Sequence, residues 1–188
     1  MTPGRGAAVV ALLAVVCFTN TCVNQFVFDD LEVIQGNPLV TAAKIDLHGI
    51  FASHYWAHLR DAGDLYRPVT ILTYAINHAA GGESPAGYHA VNIMLHVFVS
   101  VLLVRLATST GLRPWPSLLA GALFAVHPIH TEAVAGIVGR ADVLAALFVL
   151  AAWSIHLPGG QAGWRSTGGL ATLYAAGLLS METAVVLP

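Results

Sequence analysis

The chain has 188 residues, is 56% hydrophobic, and has ten acidic and eight basic residues against a mean hydropathy of +0.71. Soluble domains average about 25% charged residues, so at 10% charged this composition excludes an ordinary soluble globule. A net charge of −2 with no basic stripe excludes nucleic acid as a partner.

The charge-free intervals mark the elements. Gly6–Phe28, Ser84–Val104, Pro114–Thr131, Val143–Trp164 and Ser166–Met181 hold no Asp, Glu, Lys or Arg and run 23, 21, 18, 22 and 16 residues. A bilayer core takes about 20 apolar residues per helix. The sequence therefore predicts an all-α integral membrane protein with about five spans, near residues 6–25, 88–106, 115–127, 143–157 and 169–182. The outer loop, 26–87, is large. Arg5 before Ala7–Val16 is also compatible with a signal peptide, but no Ala-x-Ala site follows, which favours an uncleaved first helix. Cys17 and Cys22 suggest no disulfide framework.

In the outer loop, Asn37-Pro38 reads as a turn. Phe51, Tyr55 and Trp56 suit an interfacial helix over Ile50–His58. Pro68 opens a helix over Val69–Ala80 that Gly81-Gly82 stops, with Val69, Leu72 and Ile76 at helical spacing. Twelve residues are too few to cross, so a helix lying on the bilayer is expected. Asn92 and His96 sit one turn apart inside the second span, where polar groups face protein rather than lipid. Pro114-Trp115-Pro116 starts the third span and His127-Pro128 ends or kinks it. Ile129–Gly139 is a short outer connection with a helical turn from Thr131. Asp142 is placed to cap the fourth span, and Pro158–Gly168 forms an inner turn.

Threaded with the N-terminus inside, the inner segments hold Arg5, Arg105, Arg113 and Arg165 and no acid. All ten carboxylates fall outside, with Lys44, Arg60, Arg67 and Arg140, in keeping with the positive-inside rule. Span ends then bring Asp29 and Asp30, His127, His130 and Glu132, Arg140 and Asp142, and Glu182 to one level, with Arg67 joining from the loop. Such a set suits general base catalysis with stabilisation of a phosphate leaving group. Taken singly, each element has a plain alternative. Asp29-Asp30 reads as a boundary marker, and His127-Pro-Ile-His130 as a hydrogen-bonding pair or two metal ligands without a third. Arg140 with Asp142 reads as a salt-bridged turn, and Glu182 as a solvated charge.

The motifs carry a resemblance. Phe26-Val27-Phe28-Asp29-Asp30, Tyr66-Arg67-Pro68, the run Gly87–His96 and above all His127-Pro-Ile-His-Thr-Glu-Ala-Val-Ala-Gly-Ile-Val-Gly-Arg-Ala-Asp142 resemble the N-terminal membrane part of the transmembrane and tetratricopeptide-repeat-containing family, from about Val23 to Pro188. The resemblance implies the N-terminal part of a GT-C type polytopic helical bundle and a glycosyltransferase similar to protein O-mannosyltransferases. The implied donor is a polyprenyl-phosphate sugar, dolichyl-phosphate mannose in eukaryotes, and the implied acceptor is a protein Ser or Thr. Cadherin-type domains are the acceptors of animal members. The catalytic acidic pair of the first outer loop falls on Asp29 and Asp30, and a single displacement with inversion follows, Arg67 and Arg140 holding the departing lipid phosphate. No cofactor is fixed; some GT-C enzymes use a divalent cation and others do not, so the metal requirement stays open. The family usually has Lys-Glu near the fifth-span end, where this chain has Met181-Glu182. No tetratricopeptide repeat is present, which makes the chain a fragment expected to be inactive alone. The implied location is a bacterial inner membrane or the endoplasmic reticulum membrane, with a periplasmic or lumenal active face. The competing class is a non-catalytic membrane anchor for a repeat domain.

Overall fold

The computed structural model describes residues 3–56, 58–59, 63–156 and 164–186. Arg60, Asp61 and most of the expected 158–168 turn lie outside the described residues, as does the side chain of Arg165. Among the described residues all regular structure is helical, with no strand.

Helix α1 (Pro3–Phe18) continues as a 3-10 segment to Val23. The outer loop is more structured than its sequence suggests. It holds one π-helical turn (Leu31–Gln35), α2 (Pro38–Thr41) and α3 (Leu47–Ala52) before α4 (Pro68–Gly81). Asn37 does more than mark a turn: its Oδ1 accepts from the Leu39 amide at 3.0 Å and caps α2. Asp46 caps α3 in the same way through the Gly49 amide. Gly82, at φ 65°, ends α4 in the left-handed region, as the Gly81-Gly82 stop predicts.

The more apolar helices follow. They are α5 (Pro85–Ser109), α6 (Pro114–Val126), a 3-10 turn over Pro128–His130 leading into α7 (Thr131–Ala135), α8 (Arg140–His156) and α9 (Trp164–Leu178). A last 3-10 turn runs Glu182–Val186. Among the described residues two segments, Arg5–Val23 and Pro85–Ser109, are long and apolar enough to cross a bilayer alone. Pro114–Val126 with Pro128–Ala135 makes a third only as a pair bent by 44° at His127, because Pro128 has no N–H for the preceding turn. Helices α8 and α9 have 17 and 15 residues, short of the roughly 20 a crossing takes.

Helix α5 is built inside out relative to a soluble helix. Asn92 and His96 are 0% and 2% exposed, whereas Met94 and Phe98 are 54% and 53% exposed. A polar stripe turned inward and an apolar face turned outward is the arrangement a lipid solvent selects. His96 Nε2 meets the Ala125 carbonyl of α6 at 3.1 Å, and Asn92 Nδ2 donates to the Gly136 and Ile137 carbonyls at 3.0 and 3.2 Å. The expected inward role of both residues is what is found. Helices α1, α5 and α6 close on Gly121, where an added methyl would run into Val104.

Three expectations need correction. The helix expected over Ile50–His58 stops at Ala52; Tyr55 is buried in the loop core, not set at an interface. Helix α4, expected only to lie on the bilayer, also packs a second face into the protein. It buries Thr70, Ile71, Tyr74, Ala75 and Asn77 and leaves Ile76 exposed. The polar members of that face satisfy buried groups on neighbouring elements. Thr70 Oγ1 donates to the Ser180 carbonyl at 2.9 Å, and Asn77 accepts from Arg140. Lastly, α8 begins at Arg140, so Asp142 sits within its first turn rather than at its cap.

Candidate functional site

A cleft of about 600 Å³ opens where the start of the outer loop meets α7, the 136–139 turn and α8. Asp29, Asp30, Arg67, Glu132 and Asp142 all line it, with Phe28, Tyr55, Trp56, Leu65, Gly136, Val138 and Gly139. Five of the nine candidate residues therefore share one cavity.

The two aspartates differ. Asp30 is buried, and both its oxygens are engaged: Oδ2 accepts from the Val27 amide at 3.2 Å and Oδ1 from the Val138 amide at 3.0 Å. Burial pushes its carboxyl above the usual range, against the pull of those two amides. Asp29 is exposed in the cleft. Between Val27 and Asp29, Phe28 adopts φ 48° with its side chain 89% exposed. A left-handed bulky residue costs about 1–3 kcal/mol and persists only where its surroundings over-determine it. Here the Asp30 bond to Val27 closes the turn around it.

Arg67 is held at the other wall. Its Nη2 donates to Glu182 Oε2 at 2.7 Å and its Nε to both Glu182 oxygens at 3.2 Å. The guanidinium also lies 5.3 Å from the centre of the Tyr55 ring. The start of α4 is stapled to the end of α9 beside this pair, the Val69 amide donating to Leu179 O at 3.0 Å. Partial burial works against the Arg67 charge, but the Glu182 bond and charge raise its pKa overall. Glu182 therefore borders the site through Arg67, four residues beyond the helix it was expected to end. Asp142 is exposed at the cleft mouth, yet the protein packed about its base pushes its carboxyl up, with Arg67 pulling down.

Arg140 is elsewhere. It is fully buried, Nε donating to Asn92 Oδ1 at 2.8 Å and Nη2 to Asn77 Oδ1 and Tyr88 O, both at 3.0 Å. Nη1 reaches Thr73 O at 3.3 Å, and the guanidinium lies 4.7 Å from the Tyr74 ring centre. It makes no salt bridge with Asp142; neutral dipoles and an aromatic face solvate it. It ties α4, α5 and α8 together behind the cleft and has no face on it.

The two histidines part as well. His130 packs at 4.2 Å between ring centres on Phe124 and 5.3 Å on His96. It lines a second cavity of about 310 Å³ with His96, Phe124, Ile129, Val143 and Asp142. His127 is exposed and its Nδ1 accepts from the Ile129 amide at 3.2 Å, capping the short turn. Among the described residues no three His, Cys, Asp or Glu side chains come together as metal ligands would.

Tyr55, Trp56, Leu65 and the glycines of Gly136-Ile-Val-Gly139 were not legible as lining. The signal for the glycines was their spacing. A methyl on Gly139 would sit 2.6 Å from the Ala133 Cα and from the Ala133 and Glu132 carbonyl oxygens, so only glycine lets this turn approach α7.

No protein-family model and no solved structure matches the chain. Curated proteins do. It is 43% identical over 167 residues to protein O-mannosyl-transferase TMTC4 of Homo sapiens, across 80% of this chain and 22% of that protein. It is 39% identical over 184 residues to protein O-mannosyl-transferase Tmtc2 of Drosophila melanogaster, across 92% of this chain and 20% of that one. Against protein O-mannosyl-transferase TMTC1 of Homo sapiens the identity is 39% over 157 residues, 81% and 18% of the two chains. The chain spans about a fifth of the length of these relatives. With identity of this order across most of its residues, the chain belongs to the transmembrane and tetratricopeptide-repeat-containing family.

Proposed function

We propose that this chain forms the catalytic end of a GT-C glycosyltransferase that moves mannose from a polyprenyl phosphate to a protein Ser or Thr, with inversion. The relatives named as protein O-mannosyl-transferases support the reaction class. The observation that carries the residue assignment is the split between the two aspartates: Asp29 is open to the cleft, and both Asp30 oxygens are spent on backbone amides.

In this reading Asp29 is the base. The acceptor hydroxyl oxygen attacks the anomeric carbon as its proton passes to Asp29. The carbon–oxygen bond to phosphate breaks, and the polyprenyl phosphate leaves against Arg67, whose planar fork matches phosphate oxygens. Glu182 holds that fork until the phosphate competes for it. Asp30 is a positioning residue that fixes the strained Phe28 turn. Arg140 positions α8 and thereby Asp142. Glu132 and Asp142 flank the acceptor side. The neighbouring apolar cavity at His130 shares Asp142 with the cleft and takes the first units of the prenyl chain. His127 shapes the turn before it. Helices α8 and α9 complete five crossings, and the cleft faces the periplasm or lumen.

Asp29→Asn in the full-length protein tests the assignment, with transfer from polyprenyl-phosphate mannose to a Ser/Thr peptide as readout. Loss of a general base costs about 10²–10⁴-fold, with expression retained. Normal transfer by the Asp29→Asn, Asp30→Asn double variant would refute the assignment, and no transfer by the unsubstituted full-length protein would leave the membrane-anchor reading in its place.

A further inference from the structure

A second concavity, of about 530 Å³, lies at the opposite ends of the same helices. Gly6 and Ala7 of α1 form one wall, Val104, Arg105 and Thr108 of α5 another, and Arg113 to Pro116 with Leu118 at the start of α6 the third. Its lining is apolar apart from two guanidiniums and Thr108, and no carboxylate lines it. Arg105 and Arg113 are both exposed, and neither has an ion pair among the described residues. The Thr108 hydroxyl is turned back onto the Val104 and Arg105 carbonyls. Pro114 and Pro116 have no N–H to offer. The charged groups that meet an anion here are therefore the two arginines, beside the N–H groups of Trp115. Trp115, largely exposed at the same level, has the amphipathic ring that settles at headgroup depth.

We propose that this groove binds an anionic phospholipid of the surrounding leaflet, its phosphate between Arg105 and Arg113 and one acyl chain along Ala7, Val104 and Leu118. Charge complementarity argues for this occupant: a cationic pair without a counter-charge stands at the mouth of an apolar slot on a membrane helix bundle. A zwitterionic lipid fills the slot but brings its own ammonium to the arginines. A free phosphate satisfies the arginines and leaves the slot unfilled. The proposal needs α1, α5 and α6 to cross a bilayer and is independent of the transfer chemistry.

The test uses the full-length protein carrying Trp56→Phe, Trp153→Phe and Trp164→Phe, with any further tryptophans replaced likewise, in nanodiscs. Trp115 fluorescence is titrated with brominated phosphatidylglycerol or brominated phosphatidylcholine. Phosphatidylglycerol is expected to quench preferentially, and Arg105→Gln with Arg113→Gln to remove the preference. A juxtamembrane arginine is worth about fivefold in affinity for anionic lipid, so the pair is worth about thirtyfold. Equal quenching by the two lipids in the unsubstituted-arginine protein overturns the proposal, whether or not the double variant folds. Loss of the preference on adding inorganic phosphate assigns the site to free anions and overturns it also.

Discussion

Replacing Arg140 by Met separates a structural cation from a ligand for substrate phosphate. The substitution keeps an unbranched side chain of similar reach and removes, besides a long contact to the Thr73 hydroxyl at 3.5 Å, four hydrogen-bonding contacts. Two of them end on carbonyls of helical residues, Thr73 and Tyr88, which the helix ladder can satisfy. The other two end on the side-chain oxygens of Asn92 and Asn77, both buried. Each orphaned acceptor costs about 1–3 kcal/mol, which gives about 2–6 kcal/mol. Removing a buried charge returns part of this, so we expect a net loss of about 2–4 kcal/mol. Reversible unfolding in mixed micelles on SDS titration measures it. Adding Asn77→Leu should recover at least about 1 kcal/mol, because no unpaired acceptor then remains on α4. A phosphate ligand predicts the reverse pattern: full stability and a raised KM for the donor. An Arg140→Met protein within about 0.5 kcal/mol of the parent would refute the reasoning.

Gly139→Ala should destabilise the site by about 1–3 kcal/mol, since its methyl meets backbone atoms 2.6 Å away that cannot rotate aside; a thermal melt of the purified protein reads it. Asp30 has a folded-state pKa above its ordinary 3.8, so the native state binds that proton more tightly than the unfolded state. Its contribution to stability therefore declines as pH rises from 3.8 towards the raised value, and this decline should vanish in melts of Asp30→Asn. Glu182→Gln removes a half-exposed ion pair and should cost less than about 1 kcal/mol. It should lower the donor KM, because Arg67 loses the carboxylate that competes with phosphate; an unchanged KM would remove Arg67 from the phosphate site.

The helices were legible because their signals are local. The Pro68 start and Gly82 stop of α4 fall within a residue or two of the expected bounds. The inward turn of Asn92 and His96 follows from polarity at bilayer depth alone. What stayed hidden depends on contacts far along the chain. Nothing near Arg140 says that its partners are Thr73, Asn77 and Asn92, so its charge read as half of a salt-bridged turn or as a phosphate ligand. The buried face of α4 was missed for the same reason: Thr70 and Asn77 look solvent-seeking until Ser180 and Arg140 supply partners. Asp29 and Asp30 are chemically identical neighbours; Asp30 is set apart by the nearby Val27 amide and by the Val138 amide, which no local signal announces.

That amide lies 108 residues beyond Asp30 in the chain. At about 5–20 residues per second, a ribosome needs on the order of ten seconds to deliver it after the aspartate has emerged. Through that interval the nascent loop lacks the Val138 bond to Asp30 and has only the local Val27 bond to close the Phe28 turn. The Arg67–Glu182 clasp, 115 residues apart, forms later still. In the proposed reading the acid pair is thus inert while the outer loop is being threaded, and the cleft is assembled only once α8 and the Glu182 turn stand beside the start of that loop.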